Sequence, residues 1–221
     1  MKVSIHQPEH MPWIGFFNKM SSVDVFVILD NVQYRKNYFQ NRNRINGNKG
    51  EAIYLTVPLI KSKHEVLINQ KKISGESWKV KYLNLIKANY SKTRYFKNYF
   101  VILADIIHNQ NDSLLELNLS LIKWLCLEFK IETKLVLSSE LDASGYKSDI
   151  NLDICRKLKA SEYLSGPSGK EYLDLISFAE YEIDVSFHNY NNKIYPCANY
   201  IPSLSSIDLL MNMGVDATSY I

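Results

Sequence analysis

Residues 1–30, MKVSIHQPEHMPWIGFFNKMSSVDVFVILD, contain the pattern that decides the fold. Residues 3–5 are typical of a short buried strand, and residues 12–23 begin with Pro12, which suits the first turn of a helix. One face of that helix carries Ile14, Phe17 and Met20. Residues 24–30 are nearly all apolar, as expected of a strand covered on both faces. A strand, a helix and a strand in succession predict a βαβ unit with parallel strands.

The remainder of the chain predicts further strands and helices. Apolar runs predict strands over residues 52–60, 133–139, 162–166 and 182–190. Helical periodicity predicts helices over residues 77–90, 95–108, 148–160 and 203–214, and one that follows an N-cap at Asp112. The apolar faces of three of these helices are Val80, Leu83 and Ile86; Leu114, Leu117, Leu121 and Trp124; and Ile150, Ile154 and Leu158. Gly214 is the expected C′ residue of the last helix.

Together these elements predict an α/β fold. We expect a mostly parallel sheet with flanking helices, in a Rossmann-like or nucleotidyltransferase-like topology, together with a helical middle segment. The chain is predicted to form a single α/β domain over residues 1–221, in which residues 75–130 are a helical layer or an inserted subdomain.

The composition narrows the classes of function. The 26 Lys and Arg residues exceed the 23 Asp and Glu residues by only three, which argues against an obligate nucleic-acid-binding protein. Three widely spaced cysteines without a Cys-x-x-Cys motif argue against a disulfide framework and a zinc knuckle, and fit a reducing compartment. No signal-peptide pattern or apolar stretch of about 20 residues is present, so we expect a cytoplasmic protein without a membrane span.

Polar residues follow three of the predicted strands. His6 stands at the end of the first strand, Asp30 at the end of the second, and Ser165 with Gly166 at the end of residues 162–166. Because ligands of open parallel sheets bind beyond the carboxyl ends of the strands, these residues are expected to flank one cleft. His188, near the end of a further strand, is an additional candidate for the same cleft.

The histidine pattern does not indicate a metal site. Pro8 fixes the backbone between His6 and His10, so the two cannot form a helical metal-binding pair. His64 and His108 are expected to be solvated, and no metal ligand set is predicted.

Residues 30–50, DNVQYRKNYFQNRNRINGNKG, combine basic, amide and aromatic side chains. The basic residues are Arg35, Lys36, Arg42, Arg44 and Lys49, and no acid follows Asp30. The amides are Asn31, Gln33, Asn37, Gln40, Asn41 and Asn43, and the aromatic residues are Tyr34, Tyr38 and Phe39. Guanidinium and amide groups at this density suit a phosphate or diphosphate attached to a sugar. Aromatic and cationic side chains could equally stack on single-stranded nucleic acid.

A third candidate is the turn within residues 164–174, LSGPSGKEYLD. Ser165, Gly166, Ser168 and Gly169 surround a proline, and such a turn can present backbone N–H groups to an anion. The spacing differs from that of a Walker A loop, and an ordinary turn between strand and helix stays open. Cys155 lies on an amphipathic helix and is expected in the core rather than as a nucleophile.

The same stretches carry a resemblance to a known family. The segments HQPEHMPWIGFFNKM, DVFVILDNVQYRKNYFQNRNRI, YLSGPSGKEYLD and SLSSIDLLMNMG resemble the WbqC-like protein family, most strongly over residues 1–60 and 150–217. The sequence departs from the family pattern at His10, where an aromatic residue is expected, so no catalytic role is assigned to His10. The resemblance implies a cytoplasmic bacterial enzyme of O-antigen (lipopolysaccharide) biosynthesis. Its reaction would attach a small acyl or aminoacyl group, such as glycine, to a nucleotide-linked amino sugar.

A looser similarity is to nucleotidyltransferases of the HIGH class, which also place a histidine after the first strand. This chain lacks their His-x-Gly-His motif, so the similarity supports the architecture and leaves an ATP- and Mg²⁺-dependent adenylating or nucleotidyl-transferring enzyme as an alternative. A nucleic-acid-binding module is the third hypothesis, which the small net charge disfavours. The oligomeric state, including a homodimer, stays open.

Under the first hypothesis each candidate residue has a role. His6, near its unperturbed pKa of about 6.5, would accept the proton of the attacking ammonium, with Asp30 orienting it. The diphosphate or the donor carboxylate would be held by Lys36, Arg42 and Arg44. The sugar hydroxyls would be recognised by Gln33, Asn41 and Asn43. The remaining substrate contacts would come from Gln7, Tyr34, Ser165, Gly166, Ser168 and Gly169.

Overall fold

The computed structural model describes residues 1–62 and 65–221. The prediction for His64 therefore lies outside the described residues. The chain divides into two compact units, which are described separately. Unit 1 comprises residues 1–7, 18–32 and 132–191, and unit 2 comprises residues 8–17, 33–131 and 192–221. The expectation of a single domain stays a prediction. Throughout the described part of the chain, each helix is too short or too polar to cross a lipid bilayer.

Unit 1 is built on a five-stranded parallel sheet, as predicted. In chain order its strands are β1 (Lys2–His6), β2 (Val25–Ile28), β5 (Lys134–Leu137), β6 (Glu162–Ser165) and β7 (Asp184–Phe187). Across the sheet the order is β5-β2-β1-β6-β7, and every neighbouring pair is parallel. Val3 pairs with Val25 on one side and with Tyr163 on the other, so β1 is the central strand. The βαβ connection predicted from residues 1–30 is confirmed, with α1 (Ile14–Ser21) as its helix, of which residues 18–21 belong to unit 1.

The core of unit 1 contains the apolar residues of the sheet and of α5 (Ser148–Lys157). Its fully buried members include Val3, Val27, Ile154 and Cys155. Cys155 is therefore a core residue, as expected from its position on an amphipathic helix. The sequence did not predict α6 (Leu175–Glu180), because its six residues are too few to show a helical period and only Phe178 is buried.

Unit 2 contains an antiparallel hairpin of β3 (Arg42–Asn46) and β4 (Ala52–Thr56), which form a sheet of their own. The strand predicted over residues 52–60 is shorter than expected, and β3 was missed. Its sequence, RNRIN, contains one apolar residue, so no strand period was visible. The two-residue period of a strand is seen only in the solvent exposure of the folded protein. Asn43 and Ile45 are buried, while their neighbours in β3 are half-exposed.

The helices of unit 2 are α2 (Trp78–Tyr90), α3 (Phe96–Asn109), α4 (Leu114–Glu128) and α7 (Ser206–Met213). The first three confirm the helical middle segment over residues 75–130, and α3 packs against the other three helices. Two details of the prediction are wrong. Val80 is 59% exposed, because the buried face of α2 is set by Tyr82, Leu83 and Ile86 instead. The N-cap of α4 is Ser113 rather than Asp112, since the Ser113 side chain accepts a hydrogen bond from the Glu116 N–H.

Candidate functional site

The carboxyl edge of the unit 1 sheet carries the first group of predicted site residues. His6 is the last residue of β1 and pairs with Ile28 of β2, and Ser165 is the last residue of β6. Because β2, β1 and β6 are parallel neighbours, His6, Asp30 and Ser165 follow the same edge, as the sequence predicted. His188 directly follows β7, and its backbone N–H donates a hydrogen bond to the Ser165 carbonyl.

The imidazole of His6 is held in one tautomer. Its Nδ1 lies 3.0 Å from the backbone carbonyl oxygen of Gln7, which can only accept, so Nδ1 carries the hydrogen and Nε2 is an acceptor. Burial, then the charge of Lys19 and to a smaller degree that of His188, lower the pKa of His6 to about 3, against the raising effect of the hydrogen bond to Gln7. The expectation of an unperturbed pKa is therefore wrong, and His6 is neutral at pH 7.

Lys19 of α1 is a neighbour of His6 that the sequence pattern did not single out. It is 3% exposed, its Nζ donates a hydrogen bond to the Ile5 carbonyl at 3.2 Å, and the same Nζ lies 5.5 Å from the centroid of the Phe26 ring. The His6 ring stacks on Phe26 as well, at 6.5 Å. In the sequence, Lys19 stands within an otherwise largely apolar helix. A lysine in such a position is usually solvated, so the sequence offered no reason to place it at the site. Here Lys19 places a positive charge beside two imidazoles.

Asp30 is buried and hydrogen-bonded to the segment that follows β5. Its Oδ1 accepts hydrogen bonds from the Ser138 hydroxyl at 2.9 Å and from the Ser139 N–H at 3.0 Å. Its Oδ2 accepts the Ser139 hydroxyl at 2.7 Å. The carboxylate thus holds two neighbouring strand ends together, and its predicted catalytic role stays a prediction.

The turn after β6 is more tightly packed than an open anion-binding loop. Ser165 is 1% exposed, and its hydroxyl donates to the Gly166 carbonyl at 3.1 Å. The Gly169 N–H donates to the same carbonyl at 3.0 Å, so this amide is already used within the turn. Gly166 is half-buried and Ser168 is exposed. The predicted presentation of N–H groups by residues 166–169 therefore does not apply to Gly169.

Unit 2 carries the second group of predicted residues, around a pocket of about 660 Å³. This volume lies within the range of roughly 300–1,000 Å³ that is typical of small-molecule sites. Five of the residues predicted to bind substrate line the pocket, namely Gln33, Tyr34, Lys36, Asn41 and Arg42. The sequence missed Lys61 and Lys71, which also line it. We call this cavity the unit 2 pocket.

The charge of the unit 2 pocket is positive. Among the described residues, the basic side chains that line it are Lys36, Arg42, Lys61 and Lys71, and the acidic one is Glu65. Amide and hydroxyl groups accompany the charges, from Gln33, Asn37, Asn41, Thr56 and Ser62. Such a lining favours an anionic ligand that also has many hydrogen-bonding groups.

Several pocket side chains are held in place by contacts with the hairpin. The guanidinium of Arg42 stacks over the Tyr54 ring at 4.5 Å and donates a hydrogen bond to the Asn37 carbonyl at 2.7 Å. The Tyr34 hydroxyl donates to the Asn41 side-chain oxygen at 3.0 Å, and the Asn41 amide donates to the Val57 carbonyl at 2.8 Å. Burial raises the pKa of Tyr34, so its hydroxyl stays protonated at neutral pH. This preorganisation lowers the entropic cost of binding.

Asn43 and Arg44 were predicted to bind substrate, but they are not among the residues that line the unit 2 pocket. Asn43 is buried, and its amide donates to the carbonyls of His10 and Met11 at 3.2 and 2.9 Å. Arg44 donates to the Ser203 carbonyl at 3.3 Å. Both side chains are used to fix backbone segments within unit 2. Gln7 belongs to unit 1, where its carbonyl fixes the His6 tautomer.

The His10 imidazole is held by hydrogen bonds within unit 2. It is fully buried, with Nδ1 at 2.9 Å from the Asn118 side-chain oxygen and Nε2 at 2.9 Å from the Tyr82 hydroxyl. Burial lowers its pKa to about 4, so it is neutral at pH 7.

Comparisons with known proteins agree with the resemblance seen in the sequence. The sequence model of the WbqC-like protein family matches residues 7–220. The uncharacterized protein Rv1507c of Mycobacterium tuberculosis is 32% identical over 225 residues, an alignment that covers 100% of this chain and 97% of that protein. No solved structure matches the chain.

Proposed function

The chain belongs to the WbqC-like protein family, and from this membership we propose that it is a transferase acting on a nucleotide-linked amino sugar. The transferred group would be a small acyl or aminoacyl group, such as glycine, and the acceptor would be the sugar amine. The biological setting proposed is the cytoplasmic synthesis of a bacterial O-antigen.

The observation that carries the proposal is the lining of the unit 2 pocket. Lys36 and Arg42 supply positive charge for a diphosphate, and Gln33 and Asn41 supply amide groups for sugar hydroxyls. A nucleotide-linked sugar needs both kinds of partner in one cavity. The volume of about 660 Å³ is sufficient for a large part of such a molecule.

Within unit 1, we propose that neutral His6 acts as a hydrogen-bond acceptor for an amine. The neutral sugar amine attacks the acyl carbon of the donor, the bond to the donor's leaving group breaks, and the amine proton goes to that leaving group or to water, since His6 with a pKa of about 3 does not take it up. Because Nδ1 carries the hydrogen, Nε2 can accept a hydrogen bond from the amine and orient its lone pair. With a pKa of about 3, His6 remains an acceptor throughout the physiological pH range.

This role makes a prediction for the dependence of the reaction on pH. Because protonation of His6 occurs only near pH 3, the rate should show no inflection from His6 between pH 5 and 8. The ¹H–¹⁵N NMR titration of the His6 ring in the free protein is the corresponding measurement. A titration midpoint near 6.5 would contradict the described environment of His6.

The proposed function is tested by ligand binding followed by product analysis. Thermal shift is measured with dTDP- and UDP-linked amino sugars, ATP with Mg²⁺, and a single-stranded oligonucleotide. We expect stabilisation by the amino-sugar nucleotides, and mass spectrometry then detects the acylated sugar when glycine or acyl donors are added. Stabilisation by ATP–Mg²⁺ alone would favour the adenylating alternative, and stabilisation by the oligonucleotide alone would favour the nucleic-acid alternative.

A matched pair of arginine variants connects the binding to the unit 2 pocket. Arg42→Met removes the guanidinium that stacks on Tyr54 in the pocket. Arg156→Met removes a similar stack, on Tyr181 at 4.1 Å, in unit 1. Arg42→Met should weaken binding of the nucleotide sugar roughly tenfold or more, as expected for one charge-assisted hydrogen bond. Equal affinities in the two variants would remove the pocket from the proposal.

A further inference from the structure

Lys71 is a buried cation in the wall of the unit 2 pocket. It is 6% exposed. Its Nζ donates hydrogen bonds to the Ile60 carbonyl at 2.8 Å and to the Ser62 hydroxyl at 2.6 Å, and lies 5.2 Å from the centroid of the Tyr34 ring. All three partners are electrically neutral. The ammonium is thus fixed in position without a neutralising charge from these contacts.

A buried ammonium normally has a carboxylate partner, because the loss of hydration is otherwise costly. Among residues 1–62 and 65–221, no carboxylate forms an ion pair with Lys71. Glu65 lines the same pocket but does not pair with Lys71. Within the described part of the chain, Lys71 thus donates to two neutral acceptors, and an ammonium can donate three hydrogen bonds.

Lys79, also in unit 2, is a buried lysine whose ammonium has a carboxylate partner. It is 8% exposed, and its Nζ donates to the carbonyls of His108 and Gln110 at 3.1 and 2.8 Å. Its third partner is the carboxylate of Glu76, at 2.6 Å. Lys71 likewise donates to two neutral acceptors, but it lines the unit 2 pocket and has no carboxylate partner among the described residues.

We propose that Lys71 binds a phosphoryl oxygen of the ligand, whose negative charge takes the place that a carboxylate takes beside Lys79. The inference rests on the proposed function only in expecting a diphosphate in the unit 2 pocket. A phosphoryl group is favoured over a single carboxylate because the described lining has a formal surplus of three positive charges. Lys71 would be the fixed contact, and the exposed Lys36 and Lys61 would add charge at the rim.

The protonation of Lys71 supports this assignment and supplies an independent measurement. Burial lowers the pKa of Lys71 from its ordinary value of 10.5. An anion beside the ammonium favours the charged form and raises that pKa again. Binding of an anion should therefore be accompanied by proton uptake at pH values close to the pKa of free Lys71.

The test is isothermal titration calorimetry of the full chain with inorganic pyrophosphate and with thymidine diphosphate. The variants are Lys71→Met and, as a matched control, Lys72→Met. Lys72 is the adjacent lysine, half-exposed and paired with Asp112 at 2.9 Å outside the pocket. Lys71→Met should weaken binding of both probes by roughly 10- to 100-fold, the effect of one hydrogen bond to a charged group, while Lys72→Met should bind like the unchanged protein.

A second measurement does not require a variant. The enthalpy of thymidine diphosphate binding to the unchanged protein is measured at several pH values between 8 and 10.5, in buffers of different ionisation enthalpy, and proton uptake is expected within that range. If the Lys71→Met variant does not fold, the proton-uptake measurement on the unchanged protein tests the proposal instead. The absence of proton uptake then overturns the proposal. A folded Lys71→Met variant that binds within twofold of the unchanged protein overturns it too, as does an unchanged protein that binds neither probe.

These outcomes are separable from those of the proposed function. Loss of pyrophosphate binding in Lys71→Met, with no acylated amino sugar formed by the unchanged protein, would support the Lys71 site and contradict the proposed reaction. Formation of the product by a Lys71→Met variant that retains its affinity would support the reaction and contradict the Lys71 site.

Discussion

At Gly169 the main chain passes so close to Ser165 that no side chain has room. A β-carbon built there would lie 2.0 Å from the Ser165 hydroxyl oxygen, which is buried against the turn. Gly166, three residues earlier, has no atom within 4 Å of such a carbon and has a φ of −68°. Of the two glycines in this turn, packing therefore excludes a side chain only at Gly169.

Gly169→Ala should lower the free energy of unfolding by about 1–3 kcal/mol, the usual cost of forcing an extra carbon into a packed site. Gly166→Ala is the control and should change it by less than about 0.5 kcal/mol. Urea denaturation measures both. Adding Ser165→Ala to Gly169→Ala should recover part of the loss, and equal destabilisation by the two single substitutions would contradict the described turn.

At the scale of the element, the start of α4 shows how a helix boundary is chosen between two neighbouring residues. Asp112 and Ser113 both have side chains suited to capping. Ser113 has an extended backbone, with φ −83° and ψ 121°, and its hydroxyl accepts the Glu116 N–H at 3.3 Å. Asp112 is instead turned toward Lys72, with which it forms a surface ion pair. Composition alone does not distinguish the two residues.

Ser113→Ala should therefore lower the free energy of unfolding by about 1 kcal/mol, the usual value of an N-cap. Asp112→Ala removes an exposed ion pair and should have an effect below about 0.5 kcal/mol. Chemical denaturation monitored by circular dichroism compares them. A larger effect at Asp112 would place the cap where the sequence pattern first suggested.

At the scale of the whole molecule, buried histidines connect stability to pH. His6 and His10 have pKa values lowered to about 3 and about 4, whereas each would have a value near 6.5 in the unfolded chain. Between the folded and unfolded pKa values, the two histidines bind more protons in the unfolded chain than in the folded protein. They therefore lower the free energy of unfolding as the pH falls. Asp208 acts in the opposite direction, because burial raises its pKa.

We expect the free energy of unfolding to fall between pH 6.5 and 4.5, with His10 contributing up to about 1.4 kcal/mol per pH unit. Urea unfolding at several pH values measures the slope. His10→Gln removes the titrating group, so its slope should be smaller over this range. An unchanged slope in that variant would show that His10 is not the group responsible.

Much of the fold was determined by local sequence patterns. The parallel sheet follows from short apolar runs that each need cover on both faces, and the first thirty residues suffice to predict parallel pairing of β1 with β2. The placement of His6 at the carboxyl edge follows directly from that pairing. Composition also predicted Lys36 and Arg42 as site residues, because basic and amide residues cluster in residues 30–50, and the structure places both in the lining of the unit 2 pocket.

Only the tertiary structure decided which polar residues are buried and what surrounds them. Asn43 and Arg42 are adjacent in a polar strand, yet one supports the backbone and the other lines the pocket, because alternate residues of a strand face opposite sides. Lys71 and Lys72 are consecutive lysines, and only the fold makes one a buried pocket residue and the other a surface ion pair. The pKa of His6 likewise depends on its burial and then on Lys19, which is thirteen residues away in the chain. Burial and electrostatic environment are set by groups distant in sequence, so no local pattern contains them.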